Sequence, residues 1–171
     1  MSKIRTVAII GSFRQHYDGV CRAWRLFTDL GLEVTSPKGA PIIKIGIPFV
    51  RFTSDREKWT DPMVQTVALH RILRAEFVYV VAPRGYVGRT TCYEVGRIIQ
   101  AQRPLYLSQQ PADLPIKVPA GHILSLREIA KLLRAGKFRP QPMYFAAKGR
   151  HLALERELLL GNYCDDDEVP H

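Results

Sequence analysis

One carboxylate, Glu94, stands in the stretch "GRTTCYEVGR" (88–97), behind a glycine-rich loop and between arginines. Thr90 and Thr91 bring hydroxyl donors, and Gly85 and Gly88 allow close backbone approach. Two roles fit Glu94. Three residues beyond Thr91, it can complete a capping box and do no more than start a helix. Alternatively, it faces a cleft, where the helix N-terminal dipole favours the ionised form. An ionised carboxylate beside a sugar is the nucleophile that glycosyl transfer requires. Cys92, Val95 and Ile99 form the apolar stripe expected of this helix, so Glu94 is expected to point away from the core.

A second stretch, "GSFRQHYDG" (11–19), has complementary chemistry. Gly11 permits a sharp turn, and backbone N–H groups from Ser12 onward can hold an anion at a helix start. Arg14 can fork onto phosphate or carboxylate, while Phe13, His16 and Tyr17 can stack on a base. Tyr86 and Tyr93 either pack on a ligand ring or fill space. Arg84 and Arg89 flank the cleft as phosphate contacts or as solvated cations. "GSFRQHYDG" matches neither G-x-G-x-x-G nor the P-loop pattern, so it is not a dinucleotide or Walker-type site.

These residues need a frame that brings them together. "TVAIIGS" (6–12) and "FVYVVAP" (77–83) are continuous apolar runs, the pattern of parallel strands buried on both faces. "DGVCRAWRLFTDLG" (18–31) reads as a helix with Val20, Trp24, Phe27 and Leu30 inward. "LEVTSP" (32–37) reads as a short strand. "TDPMVQTVALHRILRAE" (60–76) is a helix with Asp61 as N-cap, Pro62 at its first position, and a stripe of Met63, Val67, His70 and Leu73 or Arg74. His70 then serves as a structural histidine. "TTCYEVGRIIQAQ" is a helix and "RPLYLSQ" (103–109) a fourth strand. His122 to Leu124 is a brief fifth, followed by a helix with the capping box Ser125–Glu128.

Residues 38–60 contain Pro41 and Pro48 and read as an inserted hairpin or ordered loop. "RAGKFRP" (134–140) reads as a basic surface, and "GRHLALERELLLGN" as a further helix that packs on the domain or on a partner. The expected division is an α/β domain over 1–136 and a C-terminal extension over 137–171. Strand–helix alternation predicts a flavodoxin/Rossmann-like open parallel sheet, order 2-1-3-4-5, with helices on both faces. Its switch point lies between the first and third strands, so the two chemical stretches are expected to face each other across one crevice.

Composition narrows the function. The chain has 171 residues with 46% hydrophobic content, enough for one domain with a core. No window approaches the roughly 18 apolar residues of a membrane span. The first apolar run reads as a strand rather than a signal peptide, which makes the cytoplasm the expected location. Cys21, Cys92 and Cys164 show no metal or disulfide spacing. The net charge is +9; setting aside the four acids of the tail, Asp165–Glu168, leaves 25 basic against 12 acidic residues, or +13. Such a field attracts anions. The basic residues are spread out and no nucleic-acid module is present, so nucleic acid is not the expected partner.

Over residues 5–108 the chain resembles the nucleoside 2-deoxyribosyltransferase superfamily, which includes nucleotide N-glycosidases. The resemblance rests on "GSFRQ" (11–15), on Thr91, Glu94 and Gly96 in "TTCYEVGRIIQAQRPLYL", and on "ILRAEFVYVVAP" between them. It implies that Glu94 attacks or stabilises C1′ of a ribosyl or deoxyribosyl group. It further implies that Gly11 and Phe13 line the base and sugar pocket, that Arg14 contacts phosphate or base, and that the protein is a homo-oligomer. The chain departs from the family pattern at Leu69–Arg71 and Phe77, where the family carries acids, and at Thr90. A proton donor to the base would then be Asp55, Asp61 or His70. The expected function is cleavage or exchange of an N-glycosidic bond in a nucleoside or nucleoside monophosphate, without metal or cofactor. The alternative is a non-catalytic nucleotide binder or sensor on the same fold.

Overall fold

The computed structural model describes residues 4–38, 55–146 and 148–163. The insert expected at 38–60 falls largely outside them. Four strands, β1 (Thr6–Gly11), β2 (Glu33–Ser36), β3 (Phe77–Val81) and β4 (Leu105–Leu107), form one all-parallel sheet in the order β2-β1-β3-β4. β1 and β3 are the central pair and align from Val7 opposite Phe77 to Gly11 opposite Val81. Glu76 anchors this register: its Oε2 accepts the backbone N–H groups of Arg5 and Thr6 at 2.6 and 2.8 Å.

The expected fifth strand shrinks to a single bridge. Ala120–His122 is a 3-10 turn, and Ile123 alone pairs with Leu107. The reason is length: Ser125 already caps the next helix, with the predicted capping box to Glu128 present. Leu124 donates its N–H to Leu107 at 2.9 Å, and the chain then leaves the sheet.

Among the described residues five α-helices cover the sheet: α1 (Phe13–Asp29), α2 (Asp61–Arg74), α3 (Arg89–Gln100), α4 (Leu126–Arg134) and α5 (Arg150–Leu160). Strand side chains alternate between the two faces. Val7, Ile9, Phe77, Tyr79 and Val81 meet Val20, Ala23 and Phe27 of α1 and Ile129 of α4. Ala8, Ile10, Val78 and Val80 meet Ile72 of α2, Val95 and Ile98 of α3, and Leu152 of α5. Residues beyond 136 contribute to both cores, through Phe138 on one face and Met143, Tyr144 and Leu152 on the other.

Three helix readings need correction. α1 begins at Phe13, not Asp18: the N–H groups of Gln15 and His16 both bond the Ser12 carbonyl, at 3.1 and 2.7 Å. A kink at His16 (φ −129°, ψ 31°) joins this first turn to the rest. The N-cap of α2 is Thr60, and Asp61 lies inside the first turn. The buried stripe of α2 is Val64, Leu69 and Ile72, with Ala68 packed beside it, rather than Met63, Val67 and His70. His70 is exposed. The apolar residues of α2 allow two phases, and packing against the sheet selects the one that buries Val64, Leu69 and Ile72.

Candidate functional site

A cavity of about 420 Å³ opens beyond the carboxyl ends of β1 and β3. Its walls include Gly11 to Gln15 from the end of β1 and the start of α1, and Tyr86 to Thr91 from the loop into α3. Segments about eighty residues apart therefore share one mouth. Gln15 also reaches across it, its Nε2 donating to the Tyr86 hydroxyl at 3.4 Å. The close approach depends on Gly11 (φ +154°). A Cβ there would lie 2.7 Å from the Val81 carbonyl oxygen, so any side chain would force the two central strands apart at the cavity floor.

Glu94 lies in the second turn of α3 and lines the cavity. The capping-box alternative does not hold. Gly88 is the N-cap and no side chain caps the helix. Nor does Glu94 point away from the core, as the stripe of Cys92, Val95 and Ile99 suggested. The buried positions of α3 are Thr91 and Glu94, which line the cavity, and Val95 and Ile98, which pack in the core against the sheet. Glu94 is only 8% exposed. Its Oε1 accepts a hydrogen bond from Nε2 of Gln65 on α2 at 2.9 Å. Burial raises the Glu94 carboxyl to about 7, while the Gln65 hydrogen bond pulls the other way. The dipole argument for a fully ionised carboxylate thus loses to desolvation.

The loop ahead of α3 is pinned from outside. The Asp113 carboxylate accepts the N–H of Val87 at 2.9 and 3.1 Å and that of Gly88 at 3.0 Å. Gly85 (φ +78°) sits against this connector, and a Cβ there would lie 2.7 Å from the Gln110 carbonyl. The Tyr86 ring lies over Gly88 and meets His16 edge-on, with ring centroids 5.7 Å apart. The Nε2 of His16 is buried without a hydrogen bond among the described residues.

Of the residues singled out by sequence, Gly11, Ser12, Phe13, Arg14, Tyr86, Gly88, Arg89, Thr90, Thr91 and Glu94 all line the cavity. Tyr17 does not. α1 begins early enough to turn it outward, where it is exposed. Tyr93 is exposed and pairs instead with Arg97 along the helix surface. Arg84 and two of the three candidate proton donors, Asp61 and His70, are exposed and are not among the residues that line the cavity. Asp55 lines the cavity, its side chain 3% exposed and 3.7 Å from Arg71.

Sequence reading missed one wall: Ser36, Pro37, Gln65, Ala68 and Arg71. A signal for it existed. Gln65 and Arg71 sit beside Val64, Ala68 and Ile72 on the inward face of α2, and a polar residue on such a face implies a buried partner. The cavity wall then carries three arginines, Arg14, Arg71 and Arg89, against two carboxylates, Asp55 and Glu94. A volume near 420 Å³ falls in the usual small-ligand range of about 300–1,000 Å³. Among the described residues no cluster of three or more His, Cys, Asp or Glu is placed to hold a metal ion. Among them, too, no helix is long and apolar enough to cross a membrane. Comparison with protein-family models, with curated proteins and with solved structures finds no significant match.

Proposed function

We propose that this protein cleaves or exchanges the N-glycosidic bond of a nucleoside or nucleoside monophosphate, with Glu94 as the working carboxylate. One observation carries the reading: a desolvated glutamate forms part of a small-ligand cavity at the switch point of a parallel sheet, among three arginines. The arginines favour an anionic ligand, hence a phosphorylated one. In the proposed step an oxygen of ionised Glu94 bonds to C1′ while the C1′–N bond breaks. Its electron pair goes to the departing base, which takes a proton from water, and the nucleophile of the second step returns a proton to water. Water, or the nitrogen of a second base, then displaces the carboxylate from C1′ and restores Glu94. Asp55, held beside Arg71, is the second cavity carboxylate and supports orientation of the base.

The test is a panel of nucleosides and nucleoside monophosphates, followed by chromatography for free base. Wild type is expected to release base faster as pH climbs through 7, because the ionised fraction of Glu94 grows. Glu94→Ala is expected to release none above background. Equal release by both proteins removes Glu94 from the reaction. One observation favours a second reading, a silent nucleotide binder: burial keeps much of Glu94 protonated near neutral pH, whereas a nucleophile must be ionised. Calorimetric binding at pH 8 with no base released would select it. A homo-oligomer, implied by the family resemblance, is checked by light scattering.

A further inference from the structure

The Glu94 carboxyl has two oxygens in different circumstances. Oε1 is held by the Gln65 amide at 2.9 Å, a bond that crosses from α2 to α3. Oε2 has no hydrogen bond among the described residues, and it is not a fully buried atom left without a partner. Glu94 belongs to the cavity wall, so its small exposed fraction opens on the cavity. We propose that Gln65 is a positioning residue, whose amide fixes Oε1 of Glu94 and leaves Oε2 as the oxygen presented to a ligand. The role rests on Glu94 being the working group of the site proposed above.

The residue type supports this role. Gln65 stands on the inward face of α2, where Val64, Ala68 and Ile72 are otherwise aliphatic or small. A buried amide is unfavourable there unless it is bonded, and an apolar side chain would pack as well. The partner that its amide finds is Glu94. A glutamine is also the donor that suits a reactive carboxylate. A lysine or arginine would lock the charge into an ion pair and blunt its nucleophilicity. A second acid would push it towards protonation. A neutral amide orients one oxygen and leaves the other free.

The remaining charged groups around the cavity come from other positions. Arg14 lies on α1, Arg71 on α2 beside Asp55, and Arg89 opens α3. Burial pushes the Glu94 carboxyl up, and the Gln65 hydrogen bond pulls it back. Removing the amide therefore removes a group that favours the carboxylate form.

The experiment is a carboxyl-carbon NMR titration of protein labelled in its glutamate side chains, with the Glu94 resonance assigned by its loss in Glu94→Gln. In wild type the midpoint is expected at about 7. In Gln65→Leu it is expected to rise by about one pH unit or more, which leaves roughly tenfold less carboxylate at a fixed neutral pH. Gln65→Met, unbranched and of similar length, serves if the leucine variant does not fold. An unchanged midpoint in the folded variant overturns the proposal. The readout needs no turnover, so the two ideas fail separately. A midpoint that moves in a protein releasing no base sinks the glycosidic reading alone. Base release with an immobile midpoint sinks the role of Gln65 alone. If both hold, the acid limb of kcat/KM moves with the midpoint.

Discussion

Glu94→Gln tests the burial of the site without any substrate. The native protein holds this carboxyl at about 7, against about 4.5 for an unperturbed glutamate. A folded value above the unfolded one means that the native state binds the proton more tightly. The resulting stabilisation is fully present below pH 4.5 and is lost as pH rises through 7. At pH 8 native Glu94 must ionise inside the protein, and the benefit is gone. Each unit of pKa difference between the folded and unfolded states is worth about 1.4 kcal/mol, so moving wild type from pH 8 to pH 5 should gain on the order of 2–3 kcal/mol through this one group. Glutamine does not titrate, keeps the shape and can still accept from Gln65. All other titrating groups are common to both proteins and cancel in the difference. For a chain of this size the gain corresponds to about 5–10 °C in Tm. Thermal melts of both proteins at pH 5 and pH 8 are the assay. Relative to the variant, wild type should be more stable at pH 5 by that margin compared with pH 8. A Tm difference that stays constant between the two pH values refutes the claim that Glu94 is desolvated, and with it the reason to place the carboxylate in a closed site.

Two further perturbations probe how the cavity is built. Gly11→Ala sets a Cβ 2.7 Å from the Val81 carbonyl oxygen, a backbone atom that cannot swing away. It should lower stability by about 2–3 kcal/mol in a denaturant melt, and a loss below about 0.5 kcal/mol would contradict the tight strand approach. Asp113→Ala frees the N–H groups of Val87 and Gly88. It should lower stability by about 2 kcal/mol and weaken ligand binding through the loop that carries Tyr86. The same variant carries an independent readout. Burial first, and then the charge of Asp113, push the Cys92 thiol up, so alkylation of Cys92 followed by peptide mapping should be faster once Asp113 is gone. Unchanged stability and alkylation would place the Asp113 carboxylate elsewhere.

The architecture was legible because it is written in period and punctuation. Continuous apolar runs at 6–12 and 77–83 have one stable use, as strands covered on both faces, and β1 and β3 form there. Ser125 and Glu128 announce a helix start by a local hydrogen-bond pattern, and the box forms. Strand alternation with crossovers then brings Arg14 and Glu94 to one cavity, because parallel order places the carboxyl ends of β1 and β3 side by side. Where the sequence misled, phase was the reason. α1 begins at Phe13 and turns Tyr17 outward, and α2 buries Val64 and Ile72 rather than Met63 and His70. A shift of one residue rotates a helix by about 100°, and the apolar pattern of α2 tolerates either phase.

What the sequence determined by itself is therefore the parallel sheet apart from its fifth strand, its central pair and the two segments that meet above it. These follow from short-range preferences repeated along the chain. What the tertiary structure alone decided is the state of the acid. The ionisation of Glu94 depends on how much water reaches it and on the amide of Gln65, which comes from another helix 29 residues away in sequence. Desolvation is a property of the packed assembly, and no local pattern in "TTCYEVG" encodes it.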